Sequence, residues 1–87
     1  MHELFLIDNI IKKINEIVEK ENAKKVSKVY ITLGALSHIS VDHFREHFDR
    51  ETIGTIAEEA ALEVTESADM NDPLAQEIVL DSLDLTK

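Results

Sequence analysis

The chain has 87 residues, a formal net charge of −9 at pH 7, no cysteine, two glycines and one proline. That length holds one modest hydrophobic core and not two, and a content of 44% hydrophobic and 31% charged residues belongs to a folded chain rather than a disordered one. The missing cysteines exclude disulfides, thiol nucleophiles and cysteine-based zinc sites, and no apolar run approaches the ~20 residues that span a bilayer.

Ile7, Ile10, Ile11, Ile14, Ile17 and Val18 recur at three- and four-residue spacing. That period predicts an amphipathic helix from about Leu4 to Glu21. Asp8→Lys12 and Glu16→Lys20 are correctly oriented i,i+4 pairs, and Asn22 suits a left-handed stop. Val29, Ile31 and Leu33 then alternate with Lys28, Tyr30 and Thr32, which predicts a strand over about Lys25–Leu33 with one buried face. Gly34 ends it, and Ala35–Ile39 reads as a loop. Ser40 is the expected N-cap of a second helix, about Val41 to Glu51, with Asp42 in its first turn and Val41, Phe44 and Phe48 toward the core.

Gly54 breaks the chain, and Thr55-Ile56-Ala57-Glu58 reads as a capping box on a single helical turn. Leu62 and Val64 alternate with Glu63, Thr65 and Glu66. Ile78 and Leu80 share one parity and Leu83 and Leu85 the other, so a β-bulge is expected near Ser82. The polar run Ser67–Pro73 is expected to turn the last two strands into a β-hairpin. The predicted order is α-β-α-β-β. The fold class is α+β: a small three-stranded mixed sheet with two helices on one face, sharing one core.

The charge is uneven. Residues 1–50 hold equal numbers of acids and bases, and residues 51–87 carry the whole excess, ten acids against Lys87. An acidic half repels phosphate, so no nucleic acid and no membrane surface is expected as partner; a cation or a basic protein suits it, and a solvating face explains it most simply. Leu4–Ile7 is too short and too early for a signal peptide, with no basic region before it, so a cytoplasmic location is expected. No nucleophile elbow, triad or phosphate-binding loop is present, and no enzyme activity is expected.

Met1-His2-Glu3 is the motif that carries chemistry. The α-amine of Met1, the amide nitrogen of His2 and its ring nitrogen can close two fused chelate rings on one ion. Nitrogen and oxygen donors in a plane suit Ni(II) or Cu(II). Glu3 would contribute its backbone nitrogen rather than its carboxylate. Imidazole ligates only when deprotonated, so affinity should fall below about pH 6. A second candidate is His43 with His47, at i,i+4 on one helix face, with Glu51 extending the row. His38, in the loop, could approach His2. The plain alternative for each is a solvated side chain.

These residues together bear a family likeness. Met1-His2-Glu3-Leu4, the isoleucine-rich helix, Ala23-Lys24-Lys25-Val26-Ser27-Lys28-Val29, Ile31-Thr32-Leu33-Gly34, and Gly54-Thr55-Ile56-Ala57-Glu58 leading into Ala61-Leu62-Glu63-Val64 resemble the HypA/HybF family. The closing strand Ile78–Leu85 resembles the family's last strand. The resemblance implies a nickel metallochaperone for nickel–iron hydrogenase maturation, with Ni(II) held by Met1, His2 and Glu3. It also implies two partners, a maturation GTPase and the hydrogenase large-subunit precursor.

Two departures stand out. Family members insert a zinc-binding domain with two Cys-x-x-Cys pairs between the last two strands. Here residues 67–76 form a short connector in a single domain, and no zinc is expected. Some members also place an aspartate nickel contact in the loop after the first strand. Ser40 aligns with it, with His38 and Asp42 nearby. The alternative function is a protein-interaction or homo-oligomerisation module that kept the fold and lost metal delivery.

Overall fold

A computed structural model describes the chain from His2 to Lys87, with side chains from Phe5 onward. The elements follow in the order α1 (His2–Glu21), β1 (Lys25–Leu33), α2 (Val41–Glu51), β2 (Ala61–Glu66) and β3 (Ile78–Thr86). This is the expected order and the expected α+β class.

The helix ends match the sequence signals. Asn22 takes φ 54 after α1, a left-handed conformation that asparagine tolerates better than most residues. Ser40 is extended, and its hydroxyl oxygen accepts the His43 N–H at 3.0 Å. The segment after α2 departs from expectation. Thr55–Glu58 makes successive turns and no helix. Thr55 Oγ1 accepts the Ala57 N–H at 3.2 Å, and Glu58 Oε1 takes the N–H of Gly54 rather than that of Thr55. A single turn fixes too many dihedrals for one backbone bond, so side-chain caps alone do not make it helical.

β1 is the centre of the sheet. It pairs with β2 in parallel and with β3 antiparallel, in the order β2-β1-β3. The expected β2–β3 hairpin is therefore wrong, because β1 lies between those strands. Leu33 is opposite Glu66 on one side and Ile78 on the other, so the connector crosses one strand, a span of about 10 Å. It is tied down on the way. Ser67 donates its N–H to Leu33 O, Gly34 donates to Glu77 O, and Leu36 donates to Ala75 O at 2.7 Å. Asp69 and Asp72 brace its turns by accepting the N–H groups of Asn71 and Leu74.

Two bulges adjust the register. Ser27 is the extra residue on β1, and Asp81 is the extra residue on β3, one position from the expected Ser82. Together they bring Leu85, Leu83, Leu80 and Ile78 opposite Val26, Val29, Ile31 and Leu33. The core lies between this face and the two helices. Ile7, Ile10 and Ile14 of α1 and Phe44 and Phe48 of α2 are almost wholly buried there. Ile17 is an exception to the predicted stripe. It is 37% exposed, at the rim of a groove between α1 and β3 that also contains Leu74 and Leu80. At the far end of the sheet, Lys87 donates to Glu21 at 3.0 Å and Lys24 N–H donates to Thr86 O. That contact with Lys87 holds the Glu21 carboxyl below its ordinary range. Among the described residues, no helix is long and apolar enough to cross a membrane.

Candidate metal centre

Phe44 and Phe48 fix the rotation of α2. Their rings stack 5.9 Å apart between centroids, buried against α1 and the sheet. His47 precedes Phe48 by one residue and lies at the edge of that buried stripe, so only 9% of it is exposed. Its Nε2 is 3.3 Å from Asp8 Oδ1 on α1. Asp8 follows the buried Ile7, which places its carboxylate at the seam between the helices while leaving it mostly in solvent. Glu51 lies one turn beyond His47 on α2. One ligand atom from each of Asp8, His47 and Glu51 comes within 4.8 Å of the others.

This grouping shares His47 and Glu51 with the row read from the sequence and adds Asp8. Their spacing predicts that His43, His47 and Glu51 share a face at the flank of α2. In the structure His43 is exposed outside the group, His47 is buried, and Asp8 from the other helix stands in its place. The periodicity carries a partial signal, since His47 falls between two core phenylalanines by helical angle. The Asp8 contact spans 39 positions of sequence and carries no local signature.

Met1 lies outside the described residues, as do the side chains of His2 and Glu3. The backbone of His2 and Glu3 opens α1, with His2 about 9 Å along the helix axis from Asp8 at 1.5 Å per residue. His38 is exposed, with φ 60, beside the buried Ile39. Asp42 is exposed in the first turn of α2. Ser40 has its side-chain oxygen engaged as the helix cap.

A family model described as hydrogenase/urease nickel incorporation, metallochaperone, HypA matches residues 1–70. The hydrogenase maturation factor HypA of Bradyrhizobium sp. (strain ORS 278) is 38% identical over 66 residues, covering 76% of this chain and 58% of its own length. That of Caldanaerobacter subterraneus subsp. tengcongensis is 37% identical over 62 residues, covering 71% and 54%. This chain thus spans little more than half the length of the curated relatives it matches. The solution structure of the Ni metallochaperone HypA from Helicobacter pylori superimposes with a TM-score of 0.78 at 17% identity, covering 99% of this chain and 98% of that one. At that identity the likeness concerns the fold.

Proposed function

This chain belongs to the HypA family, and from that premise we propose that it is a nickel-binding accessory domain for metalloenzyme maturation. Ni(II) is its cargo, held reversibly by Met1, His2 and Glu3 and released by ligand exchange without covalent catalysis. The observation that carries this reading is a family match that runs from residue 1 and takes in the Met1-His2-Glu3 motif.

The start of α1 favours the chemistry. The first N–H groups of a helix have no intrahelical acceptor. A metal that displaces the amide protons of His2 or Glu3 therefore breaks no helical hydrogen bond. When Met1 begins the mature chain, its amine completes the chelate. By the affinity order of divalent ions, Cu(II) binds such a set more tightly than Ni(II), so selectivity rests on delivery. The partners proposed with this reading are a maturation GTPase as donor and a hydrogenase large-subunit precursor as acceptor. In this reading residues 67–76 replace the zinc-binding domain that the family resemblance implies, and the cysteine-free sequence offers no thiolate for a zinc site of that kind.

Self-association through β3 is the competing function. The groove with Ile17 and Leu74 and the free side of β3 favour it. The bulge at Asp81 and the acidic side chains of Asp81 and Asp84 work against it, since both devices blunt an edge strand.

Calorimetric titration of Ni(II) into the tag-free protein and its His2→Ala variant tests the nickel reading. Strong heat in the first and its loss in the second are expected. Equal heats would exclude nickel binding at this terminus.

A further inference from the structure

We propose that Asp8, His47 and Glu51 form a second divalent-metal site, which clamps α1 to α2 and is separate from the first residues of the chain. The site takes a first-row transition ion such as Zn(II) or Co(II). An imidazole donor favours these over Mg(II) and Ca(II), and two carboxylates complete a three-donor set with water in the remaining positions.

Three observations support it. His47 is nine-tenths buried, and its Nε2 is turned to the cluster, so the costly part of the site is already in position. Its 3.3 Å contact with Asp8 is long for a charge-assisted hydrogen bond, which closes to about 2.7–2.9 Å; the carboxylate is not committed to the ring. Glu51 adds a second carboxylate within 4.8 Å, where one imidazole nitrogen can satisfy only one acceptor. Two carboxylates this close repel each other, even where water screens them. A divalent ion turns that repulsion into attraction. Asp8 and Glu51 are exposed and free to rotate inward by the ångström or so that coordination at about 2.0–2.2 Å requires. The geometry also suits a clamp, because α2 supplies two donors at i,i+4 and α1 supplies the third.

The test uses the full chain carrying His2→Ala, so that the site at the first residues is removed and its fate does not bear on the result. Co(II) alone is the probe, followed by its d–d absorption and by the Tm. One equivalent should bind and raise the Tm, as any ligand of the native state does. Asp8→Asn and Glu51→Gln sit at exposed positions and leave the fold intact by circular dichroism. Each should weaken binding by more than the roughly tenfold that loss of an outer-shell partner costs, and should remove the Tm rise. His43→Ala should change neither. No binding at about millimolar Co(II), or equal affinity in the parent and both carboxylate variants, overturns the proposal; so does a loss that follows His43→Ala and not Asp8→Asn. The Asp8–His47 contact would then be a structural pair alone.

Discussion

The Tyr30 hydroxyl donates to Asp84 Oδ2 at 2.8 Å across the solvent face of the sheet. The bond exists because the Ser27 and Asp81 bulges shift β1 against β3, leaving Tyr30 opposite Ser82 and Lys28 opposite Asp84. Asp84 also accepts the Ser27 hydroxyl at its backbone oxygen, and Asp81 accepts the Thr32 hydroxyl at 2.6 Å. Lys28 stands over the Tyr30 ring, 4.9 Å from its centroid.

Tyr30 therefore reports on the sheet. Its donation to Asp84 is the largest cause that raises its pKa above the ordinary 10.0, because the bond needs the protonated hydroxyl and the carboxylate repels phenolate. The sign follows directly. The folded state favours the proton, so the stabilisation is complete below pH 10 and is lost as pH rises through the folded-state value. Tyr30 is the only tyrosine, which makes the tyrosinate absorbance unambiguous. Its midpoint should lie above that of a free tyrosine and fall back toward it in Asp84→Ala. An unchanged midpoint in the variant would dissolve the assignment.

Gly34 supports the connector. A Cβ built there would stand 2.2 Å from the Ala75 carbonyl oxygen and 2.7 Å from that of Leu74. Both are backbone atoms, and neither can rotate away. Gly34→Ala must push residues 74–77 off the end of β1 and break the pairs Gly34 N–H to Glu77 O and Leu36 N–H to Ala75 O. Overpacking of this kind costs about 1–3 kcal/mol. Urea denaturation should show that loss, and amide exchange should quicken at position 34 and at Leu36, the two donors of those pairs, before it does within β1.

The same residue marks what was legible in the sequence. Gly34 could be read as the end of a strand, but not as the seat of a connector forty residues downstream. Local signals were sufficient for Ser40, Asn22 and the parity change between Leu80 and Leu83. They were also enough to place both helices on one face. Strand order was not among them. Two strands joined by a polar turn suggest a hairpin, and only long-range pairing shows that β1 separates them. Val26, Val29 and Leu33 carry a parity change of their own, which the Ser27 bulge explains and the sequence reading passed over. The spacing of Ile17 belongs to the apolar stripe, yet the side chain rides at the rim. For the metal centre, helical spacing placed His47 and Glu51 on one face, while Asp8 became visible only once α1 packed on α2.

Ile10 tests the packing of that same helix pair. It is 1% exposed, within a cluster that includes Phe44, Phe48 and Ile31. Ile10→Val removes one methyl group and leaves a void the surrounding rings cannot fill. The cost should be about 0.5–1.5 kcal/mol. In a domain of this size that corresponds to a Tm lower by roughly 4–8 °C for each kcal/mol. Ile17→Val, at the exposed rim, should lower the Tm by much less. Equal losses at both positions would contradict the burial difference.

Ser40 offers a way to separate structure from metal binding in the loop before α2. Its oxygen serves the His43 N–H at φ −81 and ψ 157, so Ser40→Ala should cost about 1 kcal/mol. Aspartate caps as well as serine, and its negative charge suits the helix N-terminus. Ser40→Asp should therefore keep the Tm of the parent. If the nickel site proposed at Met1 and His2 lies within reach of this loop, the same substitution supplies a carboxylate to it. Ni(II) affinity should then rise in Ser40→Asp while Ser40→Ala leaves it unchanged. Equal affinity in serine, alanine and aspartate forms would show that the loop contributes a helix cap and no ligand.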